Sequence, residues 1–224
     1  MVPIQTTQEQ INNEQLETLS VHWAQSAAEI EEVQRLRFQV FANELGVTLH
    51  GEDGIDQDQF DAHSHHLYVR DTRTQQVVGT YRIITPDVAA QIGWYSQQEF
   101  DISDLLNSEI SPYLMEVGRA CVHRDYRQGS VVLLLWKATL HFAKQHGYQL
   151  IMGCTSVPIG ADLPAVSDVQ KLVQASGSYS NDYRIAPLIP FTENHQTPVN
   201  PNVKVVLPTL FKGYLRLGGK ICGE

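Results

Sequence analysis

From Glu116 to Ser130 the chain reads Glu-Val-Gly-Arg-Ala-Cys-Val-His-Arg-Asp-Tyr-Arg-Gln-Gly-Ser. This stretch has the residue types and spacing best suited to chemistry. Read as a strand that ends in Arg-Gln-Gly-Ser at a helix start, it aims free backbone N–H groups and the positive end of the helix dipole at one spot. That spot suits a phosphate. Gln128 and Gly129 add backbone amides, Gly129 permits a close approach, Ser130 adds a hydroxyl and Arg127 adds a charge-assisted contact. An ordinary strand-to-helix turn uses the same residues.

Glu116 is a candidate general base, with Arg119 as its partner. Three apart on a regular strand, the two side chains face opposite ways, so a bulge at Gly118 is expected to bring both to one cleft. A buried ion pair that stiffens the sheet is the alternative. Asp58 and Asp61 lie in an acidic loop with Glu52, Asp53 and Asp56. They are candidates for binding a cationic acceptor or for ordering the loop, with Arg37 and Arg82 as partners. Cys154 lacks an evident histidine and reads as a structural thiol. His63, His65 and His66 are close in sequence, but His65 and His66 point to opposite faces of a strand, so no metal site is expected.

These groups need positioning elements. Leu19 to Ala24 reads as a strand. Ser26 caps a helix in which Ile30, Val33, Leu36, Arg37, Val40, Phe41 and Leu45 recur at helical spacing up to Gly46. His66 to Arg70 and Val77 to Thr85 alternate as a hairpin, and 87 to 110 reads as mixed helical segments. Tyr113 to Val122 is a strand, Val131 to His146 a helix closed by Gly147, and Leu150 to Thr155 an apolar strand. Together they form a βαβ unit with parallel strands. Helices are expected at 165 to 175 and 208 to 218, the second aligning Lys212, Arg216 and Lys220 as a basic face for an acidic carrier or an anionic membrane.

Length and composition bound the rest. With 224 residues, 42% hydrophobic and 18% charged, the chain suits one α/β domain from 19 to 224 behind a polar arm at 1 to 18. A net charge of −9 argues against nucleic acid. The first Lys or Arg is Arg35 and no apolar run nears membrane-span length, so a cytoplasmic protein is expected, with at most peripheral contact to the inner membrane face. Cys121, Cys154 and Cys222 have no CxxC spacing, which suits reduced thiols.

Tyr126 to Ser130 resembles the pyrophosphate loop of the GNAT superfamily of acyltransferases, without the second glycine of the usual Arg/Gln-x-x-Gly-x-Gly pattern. That departure favours an acyl carrier protein donor over coenzyme A. Arg37 and Phe41, Asp58 and Asp61 in Asp-Gln-Phe-Asp, Arg82 in Gly-Thr-Tyr-Arg, and Glu116 with Arg119 are similar to positions in the acyl-homoserine-lactone and N-acyl amino acid synthases. The runs Met115 to Arg127, Leu150 to Pro158 and Lys212 to Glu224 resemble the ornithine lipid-forming N-acyltransferases, a group that also carries a hemolysin label.

The resemblance implies a mixed sheet with a splayed parallel strand pair, flanked by helices. It also implies transfer of a 3-hydroxyacyl group from acyl carrier protein to the α-amine of ornithine, giving lyso-ornithine lipid with no permanently bound cofactor. Glu116 and Arg119 would be catalytic. Val122, Arg127, Gln128, Gly129 and Ser130 would meet the donor, and Arg37, Phe41, Asp58, Asp61 and Arg82 the acceptor. Members of that group continue past the position of Glu224 with a segment that finishes the sheet. Transfer to another amine, or a non-catalytic carrier-binding module, are the alternatives.

Overall fold

The computed structural model describes residues 17–47, 49, 53–157, 166–190 and 207–223. In chain order it contains β1 (Leu19–Trp23), α1 (Ala27–Phe38), a π-helical segment (Gln39–Glu44), β2 (His65–Asp71), β3 (Val77–Ile84) and α2 (Pro86–Ile92). There follow β4 (Phe100–Asp101), α3 (Ser103–Leu106), β5 (Leu114–Val122), α4 (Ser130–His146), β6 (Leu150–Met152), α5 (Val166–Ala175), β7 (Ala186–Pro187) and α6 (Thr209–Arg216). Short 3₁₀ segments lie at Tyr95–Gln98, Ser111–Tyr113 and Arg124–Tyr126. Most of the expected polar arm, residues 1–16, lies outside the described residues.

The chain divides into two compact units, one of residues 1–93 and 112–152 and one of 94–111 and 153–224. The first holds a five-stranded sheet in the order β1-β2-β3-β5-β6, antiparallel except for the parallel β5–β6 pair. Helices cover both faces. Val131, Leu135, Thr139 and Ala143, four apart, turn one side of α4 onto the sheet. Gly79 of β3 allows that approach, since a Cβ there would sit 2.3 Å from Val131 Cγ1. Val33, Leu36 and Val40 pack with Tyr68, Val77 and Cys121 on the opposite face. Ser26 caps α1 reciprocally with Glu29.

The second unit holds the two-stranded β4–β7 ladder, and a cluster of Val169, Val173 and Leu207 flanked by Phe211 and Leu215. Here α6 ends at Arg216, and Lys220 lies beyond it with its ammonium donating to the Gly177 carbonyl at 3.4 Å. The expected alignment of Lys212, Arg216 and Lys220 on one helix face therefore does not form, because Gly218 and Gly219 do not prolong the helix. Among the described residues, no helix is long and apolar enough to cross a membrane.

Candidate active site

The parallel ladder joins Leu114 to Leu150, Met115 to Ile151 and Glu116 to Met152, and β6 ends there. Because β5 continues to Val122, the two strands part immediately after Glu116. The expected apolar strand through Thr155 pairs only as far as Met152, where Gly153, a residue that weakens a strand interior, follows. Glu116 is thus on the last rung of the ladder, and is only 2% exposed.

Glu116 and Arg119 share a face because β5 bulges. Thr80 pairs with Cys121 and Arg82 with Gly118, so both Arg119 and Ala120 stand opposite Tyr81 alone. Before the bulge Met115 and Val117 pack towards Phe142 and Ala143 of α4, which turns Glu116 the other way. After it, Ala120 and Val122 join the α4-side cluster, whereas Cys121 packs with α1. Arg119 reaches the α1 side as well, and its guanidinium lies 5.9 Å from the Phe41 ring. The strain falls on Arg119, with φ of 48°, and not on the neighbouring glycine.

On that face lies a neutral cluster of three arginines and three aspartates. Arg37 is fully buried; it grips Asp61 through Nη1 at 2.7 Å and Nη2 at 2.9 Å, and donates to Asp56 Oδ2 at 2.7 Å and to the Asp56 carbonyl at 2.8 Å. Arg82 donates to Asp58 and, at 3.1 Å, to Asp61. Arg119 completes the group, with Nη2 at 3.2 Å from Asp58 and Nη1 at 3.8 Å from Asp56. Burial opposes ionisation of Asp58 and Asp61, yet the hydrogen bonds and charges of Arg82 and Arg37 hold both carboxyls below the usual range. Arg37 and Asp61 are enclosed, whereas Asp58 and Arg119 keep side-chain exposures of 21% and 23%. They are the members of the cluster open to solvent.

The other end of β5 leads into α4. The N-cap residue is Gly129, no side chain among the described residues caps this helix, and its first internal bond runs from Leu133 N–H to the Gly129 carbonyl at 3.0 Å. The N–H groups of Ser130, Val131 and Val132 therefore have no partner inside the helix. Gly129 supplies φ of 107°, with open space around it rather than a tight approach. Gln128 is exposed and Ser130 buried. Arg127 donates to the Val122 carbonyl at 3.0 Å and to Glu44 at 2.7 Å. His123 N–H bonds the Val78 carbonyl at 2.9 Å. By strand alternation, the backbone groups of Val122 then point to the edge that β6 has left.

Asp56, Gln34 and Glu44 join the site without having been singled out from sequence. Asp56 stood out only as part of an acidic run, and its inward turn depends on the fold. Gln34, one helical turn before Arg37, donates to Asp61 at 3.3 Å. Cys121 is a buried thiol, pushed up to about 12 by burial, and so is no nucleophile at neutral pH. Cys154 Sγ lies 3.4 Å from Ser96 Oγ. His65 sits 5.5 Å from the Phe142 ring, while His66 bonds the Asp61 carbonyl on the other face. Among the described residues, no three His, Cys, Asp or Glu side chains are placed to hold a metal ion.

The acetyltransferase (GNAT) domain family matches residues 36–137. The L-ornithine N(alpha)-acyltransferase of Rhizobium meliloti is 35% identical over 223 residues, covering 91% of this chain and 73% of that protein. Its namesake in Brucella abortus is 34% identical, covering 91% and 77%. Among solved structures, the coenzyme A-dependent acyl-homoserine lactone synthase BjaI, solved with MTA, superposes with a TM-score of 0.53 at 19% identity over 92% of each chain, which shows a shared fold.

Proposed function

This chain belongs to the GNAT acyltransferase family alongside those L-ornithine N(alpha)-acyltransferases, and on that premise we propose that it moves a 3-hydroxyacyl group from acyl carrier protein to the α-amine of ornithine. The product would be lyso-ornithine lipid. The observation that carries the reading is the parting of β5 from β6 after Glu116, on the strand whose other end leads into the start of α4.

The donor phosphate would rest on the amides of Ser130, Val131 and Val132, aided by the helix dipole. The pantetheine arm would then run along the parted edge of β5, past Val122 N–H, and bring its thioester to Glu116, where main-chain N–H groups would hold the oxygen as negative charge develops. An α-amine has a pKa of about 8 in model peptides, so it must lose a proton before attacking. Glu116, directly or through a water, would take that proton. The nitrogen attacks the thioester carbon, the C–N bond forms, the C–S bond breaks, and the pantetheine sulfur leaves as a thiolate that takes up a proton.

Asp58 and Arg119 would face the ammonium and carboxylate of the acceptor, with Phe41 beside Arg119. Arg37, Asp61 and Arg82 would hold Asp58 and its loop in place. A lipid product would make peripheral contact with an anionic membrane face part of this picture, with Lys212 and Arg216 of α6 as the candidate patch.

The test is label transfer from 3-hydroxyacyl thioesters of acyl carrier protein, and separately of coenzyme A, to a panel of amino acids. Product with ornithine from the carrier-bound donor supports the proposal. Product only with other amines would replace the acceptor, and product only from coenzyme A would replace the donor. Donor binding without any product would mark a non-catalytic module.

A further inference from the structure

Arg127 has a partner that the reading of the donor site leaves without a role. Its Nε donates to the Val122 carbonyl at 3.0 Å and its Nη2 to Glu44 Oε2 at 2.7 Å, so two sides of the guanidinium are fixed. Glu44 ends the π-helical segment, where Leu45 N–H bonds the Val40 carbonyl five residues back at 3.1 Å. A π turn gives the residues that follow a different bearing from a continued α-helix, and such turns gather at functional sites. The carboxylate is 17% exposed, and its second oxygen, Oε1, is buried with no hydrogen-bond partner among the described residues. A shielded carboxylate with one unmet oxygen depends heavily on the bond it does make.

Arg127 is the reverse case. Its side chain is 46% exposed, and an arginine so placed samples many rotamers unless something holds it. Binding a phosphate with a loose arginine means immobilising it at that moment. Glu44 has already done so. The Arg127 Nε bond also leaves the Val122 carbonyl occupied, so Val122 N–H is the group that Val122 offers at the parted edge.

We propose that Glu44 is a positioning residue for the thioester donor, holding Arg127 across the end of β5 so that its remaining N–H groups meet the donor phosphate beside Gly129. This rests on the donor site proposed above. Glu44 touches neither donor nor acceptor and acts through Arg127. The Glu44 carboxylate offsets charge on the arginine, and the amides and helix dipole at the start of α4 supply further attraction for the donor's phosphodiester.

A double-variant cycle tests it, using the complete chain and reading the dissociation constant of 3-hydroxyacyl carrier protein together with kcat and the KM for ornithine. Glu44→Gln, which keeps the shape and removes the charge, should weaken donor binding about fivefold with kcat and ornithine KM unchanged, and Glu44→Asp should recover part of the loss. Arg127→Gln should weaken it further, and the double variant should match Arg127→Gln within about twofold, because Glu44 has no other route to the donor. Additive losses, an unchanged dissociation constant in Glu44→Gln, or an effect confined to ornithine KM would overturn the role of Glu44 alone. An unchanged dissociation constant in Arg127→Gln would remove Arg127 from the donor site and the role of Glu44 with it.

Discussion

Replacing Arg119 offers a test in which a general rule of strand stability should reverse. In a strand interior glycine is less stable than alanine by roughly 0.5–1 kcal/mol, because it loses more backbone freedom on folding. Arg119 has φ of 48°, where an L residue is strained by roughly 1–2 kcal/mol and glycine is not. The two contributions oppose, and the strain is larger. Arg119→Gly should therefore be more stable than Arg119→Ala by about 0.5–1 kcal/mol, or about 1–4 °C in Tm for a chain of this size. Both variants lose the guanidinium and its 3.2 Å contact with Asp58, so that loss cancels between them. Paired thermal melts and urea titrations measure the difference, with Ser20→Gly and Ser20→Ala in β1 as a control pair that should follow the ordinary order. Turnover should fall alike in the two Arg119 variants, because both lose the charge that the proposed acceptor site uses. An alanine variant more stable than the glycine one would refute the bulge as the device that brings Arg119 to the face of Glu116.

Glu116→Gln should lower kcat by about 10²- to 10⁴-fold while leaving the donor dissociation constant unchanged; steady-state kinetics with a parallel binding measurement check this, and retained turnover would remove Glu116 from the proton transfer. Asp61→Asn leaves buried Arg37 undercompensated and should destabilise by about 3–5 kcal/mol in chemical denaturation. Because the Asp61 carboxyl titrates below its ordinary range in the fold, its contribution is complete above the ordinary carboxylate pKa and fades as pH falls beneath it. The asparagine variant should accordingly show a shallower loss of stability in acid than the parent. Asp71 behaves similarly. Burial opposes its ionisation, but the Tyr126 hydroxyl at 2.8 Å and the backbone N–H groups of Arg73 and Thr74 hold it at about 2. Tyr126→Phe should move the onset of acid unfolding to higher pH, followed by circular dichroism between about pH 5 and pH 2.

Local signals carried most of the architecture into the sequence. Ser26 with Glu29, the alternation of β2 and β3, and the four-residue spacing of Val131, Leu135, Thr139 and Ala143 are patterns that neighbouring residues complete among themselves. Long-range pairing left no such trace. Arg127 finds Glu44 83 positions away in the chain, and no local spacing announces it. The acidic loop showed that some carboxylates would pair with Arg37 and Arg82, but the choice of Asp56, Asp58 and Asp61 depends on which of them the fold turns inward. A bulge between Glu116 and Arg119 could be argued from their spacing. Glycine preference pointed to Gly118, whereas the register with β3 puts the positive φ one residue later, on a side chain that the aspartates hold in place.

The central claim is that the gap after Glu116 admits a pantetheine thioester whose phosphate rests at the start of α4. The most direct measurement is a crystal structure with a non-cleavable 4′-phosphopantetheine thioether analogue of the donor. Phosphate oxygens are expected within hydrogen-bond distance of the amides of Ser130, Val131 and Val132, with the arm passing Val122 N–H along the edge of β5 and the carbonyl carbon lying at Glu116. A phosphate bound elsewhere, or an arm that does not enter between β5 and β6, would contradict it.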